Sequence, residues 1–241
     1  MDQGVIEYIA NVFDIPKLAQ PVSVVQMPLP LTRLAEIPLD SSVNQCQGFC
    51  YNSKKDVFVL VAKYEYSQKR LLGHMNTLTY NPNNNRYYTT NAVVDGYIVT
   101  PIEADSMIVE APIKLKEKVF NFAFDKERNE YVSIVPLTNS HRTINYYDAD
   151  FNRIRSFTID AEHTDLNNNG AYAANGNTIF TTLTTFVSVD DEGVVKNITP
   201  YASGMEVEDM DYRNGQMYVA VNRKGKVEIY SLPTLPFSVN A

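Results

Sequence analysis

No stretch of the 241 residues approaches the roughly 18 consecutive apolar residues that a membrane-spanning helix requires, so no transmembrane span is expected. The opening MDQGVIEYIA has no basic run leading into an apolar core, which predicts no secretory signal. Basic clusters are scarce too. Lys114, Lys116 and Lys118, and Lys224 with Lys226, are short and interrupted, and read as the solvated faces of strands. With a net charge of −7 and a pI near 5.0, no nucleic-acid partner is expected, because such binding draws on clustered Lys and Arg.

Cysteine is nearly absent, with only Cys46 and Cys50. On a regular strand these share a face but lie about 13 Å apart, too far for a disulfide, whose Cα atoms must come within about 7 Å. Two free thiols and no signal point to folding in a reducing cytoplasm. The three histidines, His74, His141 and His163, fall at unrelated spacings, and none joins a Cys motif, so no metal site or cofactor is expected. Asp160–Asn169 is rich in oxygen ligands but lacks the EF-hand's central Gly and terminal Glu, and reads as a solvated loop. No Gly-x-Ser-x-Gly occurs, so a nucleophile elbow is excluded.

What the chain does have is 23 Asn and 16 Tyr alongside 44% hydrophobic residues and no Trp, a composition of turns and aromatic strands with ample material for a core. Five segments share one pattern: an aromatic, a short polar turn, then an aromatic or β-branched strand. The aromatic before each turn is Tyr51, Tyr80, Phe124, Tyr172 or Tyr212. The mean period is about 40 residues, although the first step, from Tyr51 to Tyr80, is short. Each unit opens with a hairpin, and Asn81-Pro82 and Asn214-Gly215 are the clearest turn signals. Further alternating stretches follow, best seen at Arg142–Tyr147 and Arg153–Ile159. Four antiparallel strands at this period describe a propeller blade. The chain is therefore expected to be all-β, a five-bladed β-propeller over residues 31–241, preceded by a short N-terminal segment.

The fifth unit supplies a third strand at Val227–Leu232 but little for a fourth. Arg33–Leu39 resembles the outer strand of the third unit, so the N-terminal strand is expected to complete the last blade and close the ring. That leaves residues 1–30 outside it. Val5, Tyr8, Ile9, Val12 and Phe13 follow helical spacing, and Pro16, Pro21, Pro28 and Pro30 then break any continuation, so a short helix and extended linker are expected.

The stretch Gly73–Tyr88, GHMNTLTYNPNNNRYY, resembles propeller repeats in tail proteins of phages infecting low-GC Gram-positive bacteria. It is similar to the five-bladed propeller platform of staphylococcal siphophage receptor-binding proteins. That resemblance implies a virion tail protein assembled in the host cytoplasm alongside other tail proteins. It also implies a homo-oligomer, a trimer in that family, and a cell-wall glycan of the wall teichoic acid type as target. Similar Gly-His-x-Asn repeats occur in bacterial cell-surface proteins, and the long stem of the phage family has no counterpart in this chain.

Propeller ligands gather where the inner strands converge. The residues just before the aromatic markers are the candidates for a ligand site there: Gln47, His74, Asn76, Asn121, Asn168, Glu208 and Asp209. Amides and carboxylates suit sugar hydroxyls; equally, they could satisfy one another and buried water. The Tyr and Phe markers themselves read mainly as blade packing. An enzyme would need paired carboxylates about 5–10 Å apart, for which Glu162 or Asp165 with Glu208 or Asp209 are candidates, or a base such as His163. The reading that follows is host recognition by binding a surface glycan without cleaving it. The alternatives are an extracellular propeller glycosidase or lyase and a structural docking platform in the virion. A negatively charged protein gains nothing from teichoic acid phosphates, so binding should fall on sugar substituents and depend little on salt.

Overall fold

The computed structural model describes residues 23–24, 30–39, 43–64, 75–91, 96–137, 141–160 and 169–232. Every regular element among them is a strand. The predicted N-terminal helix and the residues His74, His163, Glu162, Asp165 and Asn168 lie outside the described residues.

The strands form five sheets. In chain order from the first inner strand, β3 (Val43–Asn52) pairs with β4 (Val57–Tyr64). The next sheet is β5 (Leu78–Asn81), β6 (Arg86–Thr90), β7 (Ile98–Glu103) and β8 (Ile113–Lys114). The third is β9 (Asn121–Asp125), β10 (Glu130–Pro136), β11 (His141–Tyr147) and β12 (Arg153–Asp160). The fourth is β13 (Ala171–Ala174), β14 (Asn177–Thr181), β15 (Thr185–Val189) and β16 (Val195–Pro200). The last is β17 (Glu206–Arg213), β18 (Gln216–Arg223) and β19 (Lys226–Ser231), completed by β2 (Thr32–Pro38). β2 runs antiparallel to β19 from Lys226↔Pro38 to Ser231↔Thr32, which is the ring closure expected from the sequence. Part of the segment expected to lie outside the ring joins it: β1 (Ser23–Val24) adds a short parallel edge to β16.

The inner strands touch in a closed cycle, β3 to β5 to β9 to β13 to β17 and back to β3. Between each pair of neighbouring sheets lies a separate apolar core, because alternate residues of a strand point to opposite faces. On β14, Phe180 faces the sheet before it and Ile179 the sheet after it. On β10, Val132 and Ile134 pack with β13–β16, while Tyr131 packs the other way with Tyr88 and Phe122. Aromatic stacking thickens that second core, with the Tyr131 and Phe151 rings 4.6 Å apart. This is a β-propeller arrangement, with sheets standing radially and sealed face to face.

The polar turns close the inner hairpins as their residue types require. Asn85, Asn129, Asn175 and Asn214 all hold φ near +50°, a left-handed conformation that Asn tolerates best after Gly. The two thiols are free and buried, but they do not share a face. A bulge between Cys46 and Gly48 shifts the alternation by one residue, sending Cys46 and Cys50 into different inter-sheet cores.

Candidate functional site

At the level of Gln47 and Asp209 the inner strands come together backbone to backbone. A Cβ on Gly48 would lie 2.7 Å from the Leu78 amide nitrogen, and one on Gly170 would lie 2.5 Å from Asp209 Cα. Only glycine allows this approach. Asp209 is fully buried at the centre of it. Its Oδ2 accepts the N–H of Phe49 at 3.0 Å and of Leu78 at 2.9 Å, with the Thr77 hydroxyl at 3.4 Å. Its Oδ1 accepts the N–H of Met210 at 3.0 Å and of Ala171 at 3.3 Å. One side chain thus ties together inner strands of four sheets. Burial pushes its carboxyl above the usual range, against the pull of the four N–H donors.

The other sequence candidates cluster round the same belt. Gln47 and Glu208 each occupy a bulge, on β3 and β17, and both are buried. The Asn222 amide donates to Glu208 at 2.6 Å and to the Cys46 carbonyl at 3.1 Å, while its oxygen accepts the Cys46 N–H at 2.8 Å. Burial, with the charges of Glu206 and Asp209 nearby, lifts the Glu208 carboxyl to about 8. Asn121, also fully buried, donates to the Asn169 carbonyl, and its own Oδ1 has no partner. Asn76 is partly buried, with its N–H on the Thr90 carbonyl at 3.1 Å. Gln47, Asn121, Glu208 and Asp209 are thus brought together as a sealed polar belt that holds the inner strands in register. Among the described residues no group of His, Cys, Asp and Glu is arranged to hold a metal ion.

The accessible concavity lies at the other end of the inner strands, where each reaches its hairpin turn. A cup of about 410 Å³ opens there, and Tyr51, Tyr80, Phe124, Tyr172 and Tyr212, the five aromatic markers of the repeat, all line it. Two of the markers pack into the blades, as the sequence predicts: Tyr80 and Phe124 are 6% and 7% exposed. Tyr51 and Tyr172 are more open, and Tyr212 is 37% exposed. The floor is apolar, with Leu78, Ala123, Ala171 and Met210.

One carboxylate reaches this cup. Asp211 stands two residues beyond Asp209 on β17, on the same face of the strand. Its oxygens accept the N–H of Tyr51 at 2.6 Å and of Tyr212 at 2.7 Å. It remains partly exposed although crowded by protein, and that crowding raises its carboxyl to about 6 despite the two donors and the nearby Lys126. At the rim, Arg213 pairs with Asp56 at 2.8 Å and lies over the Tyr51 ring at 5.5 Å. The Tyr51 hydroxyl donates to Asp56 at 2.6 Å, and that of Tyr80 to Asn85 at 2.8 Å. The Tyr172 hydroxyl has no hydrogen-bond partner among the described residues. Asp211 was passed over in the sequence because acidic residues crowd that stretch, EVEDMD; its two-residue offset from Asp209 was the available signal.

A second motif also escaped notice. The residue after the aromatic marker in the first three units is Asn52, Asn81 or Asp125, each of which caps its own turn and grips the next sheet. The Asn52 amide donates to the Tyr87 hydroxyl at 2.6 Å and the Asn81 amide to the Tyr131 hydroxyl at 2.7 Å. Asp125 accepts the Gly176 N–H at 2.5 Å.

The class these features define is a β-propeller with a sealed waist and an aromatic cup. The chain is similar to the glutaminyl cyclase of Myxococcus xanthus, at a TM-score of 0.59 and 11% identity, over 86% of this chain and 100% of that one. It is also similar to the virginiamycin B lyase of Staphylococcus aureus, at a TM-score of 0.46 and 9% identity, covering 75% of this chain and 58% of that one. The first likeness is one of fold. No family model matches the sequence, and no curated protein matches it.

Proposed function

We propose that the aromatic cup binds a sugar unit of a bacterial cell-surface glycan and does not cleave it. The observation that carries this is that every inner hairpin, whatever else varies between units, sends its aromatic marker to one concavity. Flat rings with polar tips suit the apolar face and the hydroxyls of a pyranose, and the Tyr172 hydroxyl is free to take part. On the Gly73–Tyr88 resemblance, we further propose that this binding serves host recognition in a phage tail, in a homo-oligomer. The β3–β4 sheet counts in this reading as the fifth blade, since β3 stands between β17 and β5 in the ring.

The test is binding of the purified chain to Gram-positive cell walls and to their released glycopolymer. Replacing Tyr172 and Tyr212 together by Ala should weaken binding about tenfold or more, since each ring contributes about 1 kcal/mol beyond its buried area. Circular dichroism should be unchanged. Unchanged binding would sink the proposal.

Asp211 supports a second reading, a propeller enzyme. A carboxyl at about 6 in a cup is placed to move protons near neutral pH. Release of product from the glycan by the parent chain, lost in Asp211→Asn, would favour it.

A further inference from the structure

We propose that the group bound in the cup is a cation, an amine or quaternary ammonium carried by the ligand, held by the Asp211 carboxylate among the faces of Tyr51, Tyr172 and Tyr212. This rests on the reading of the cup as the ligand site and names the chemistry it selects.

Three observations carry it. First, among the described residues Asp211 forms no ion pair, although Lys126 is near enough to act on it through its charge. Its two bonds are to backbone N–H groups, which leaves about two of its acceptor positions open. Second, the cations at the rim are engaged elsewhere: Arg213 with Asp56 at 2.8 Å, and Lys126 with Glu127 at 3.4 Å. Third, aromatic rings line the cup beside Asp211, with the Tyr172 and Tyr212 rings 5.9 Å apart and tilted by 35°. A carboxylate within aromatic faces suits an ammonium group: the ring quadrupoles attract it, and the carboxylate supplies the balancing charge. A neutral sugar would leave that charge crowded by protein and unpaired, which is unfavourable.

The groups around Asp211 come from each hairpin of the cup: Tyr51 and the buried Cys50 thiol, which burial and Asp211 push up, on β3, Tyr80 on β5, Lys126 after β9, Tyr172 on β13, and Tyr212 with Arg213 on β17. Of these, only Lys126 and Arg213 are basic, and a base cannot lose positive charge on acidification. Loss of binding on acidification therefore follows the carboxyl of Asp211, whose raised position puts the change near pH 6. The sign is fixed, since the protonated acid has no charge to offer a cation.

The experiment is calorimetric titration of the full chain at pH 7.5 and pH 5 with glucosamine, choline and N-acetylglucosamine. Glucosamine or choline should bind about tenfold more tightly than N-acetylglucosamine at pH 7.5, and that preference should vanish at pH 5 and in Asp211→Asn. A preference for glucosamine assigns a primary amine, and one for choline a quaternary group. Lys126→Met, which changes a solvent-exposed side chain, should tighten cation binding several-fold by removing a competing charge. It keeps the test sound if Asp211→Asn folds poorly. N-acetylglucosamine binding as well as either cation, with loss in Tyr172→Ala, would overturn the cation proposal and leave the saccharide reading standing. Failure of all three probes to bind in a Tyr172-dependent way would overturn both.

Discussion

Asp209 and Glu208 adjoin in the chain, and burial raises the carboxyl of each, but their hydrogen-bond partners differ. Asp209 faces four N–H donors and the Thr77 hydroxyl, which oppose but do not outweigh the effect of its burial. Glu208, re-aimed by the bulge, has the Asn222 amide on one oxygen and two carboxylates for company. Its carboxyl at about 8, against an ordinary 4.5, keeps a proton in the folded chain that the unfolded chain has already lost. The contribution of Glu208 to stability should therefore be greatest below pH 4.5, decline as pH rises to about 8 and level off beyond. Glu208→Gln keeps an oxygen for Asn222 and removes the titration. Its gain over the parent should be small at pH 5 and reach on the order of 3 kcal/mol at pH 8.5, about 5–10 °C in melting temperature. Parallel melting-versus-pH curves for the two proteins would refute this.

Inner strands are where this chain is least tolerant, because they approach with no side chain between them. Gly170 and Gly225 illustrate the contrast. Gly225 sits in a turn at φ +74° with nothing near its missing Cβ, so Ala there costs only the left-handed backbone, about 1 kcal/mol. Gly170 has an ordinary φ, but its Cβ would meet the Asp209 backbone, which cannot rotate away. Gly170→Ala should lose about 3 kcal/mol or more in urea titration, clearly exceeding Gly225→Ala, or leave the chain unfolded. Equal midpoints for the two variants would contradict the sealed waist. The elements themselves were legible in the sequence. Aromatic markers, Asn-rich turns and alternating runs give β11 and β12 nearly residue for residue, and Arg33–Leu39 announces the closing strand. The two bulges were not legible. An extra residue at Gln47 or Glu208 leaves no mark in composition, yet it decides which face Cys46 or Asp209 presents. Nor could single-chain reading join Asp209 to Phe49, 160 residues apart. That closeness exists only once the ring is shut, and so does the cup.

A ring of sheets stays closed only while its ends hold, and here that duty falls on β2, an outer strand exposed along its whole length. It buries little, so the β19 ladder and the charges beside it must hold the ring closed. Those charges converge on Glu228, whose carboxylate takes the Tyr230 hydroxyl at 2.8 Å, Arg33 at 3.0 Å, Arg223 at 3.1 Å and Lys226 at 3.4 Å. Arg33 belongs to β2, and Lys226 reaches Glu36 of the same strand at 2.6 Å, so the cluster bridges the first and last strands of the ring. Tyr230 first, then Arg223, Arg33 and Lys226, depress the Glu228 carboxyl to about 2. For a depressed acid the stabilisation is full above its ordinary 4.5 and is lost as pH falls through the folded value. The ring seam should accordingly weaken between pH 4.5 and about 2, before the inter-sheet cores do, because the apolar clusters that form those cores contain no carboxylate. Glu228→Gln should imitate this at neutral pH. Its melting temperature should fall below the parent's at pH 7, and the gap should close as pH approaches 2. Limited proteolysis at pH 7 should release the segment before residue 40 faster in the variant than in the parent, while the remainder resists. If β2 stayed protected in Glu228→Gln, the backbone ladder alone would be holding the ring, and the charge cluster would be decoration on a seam already closed.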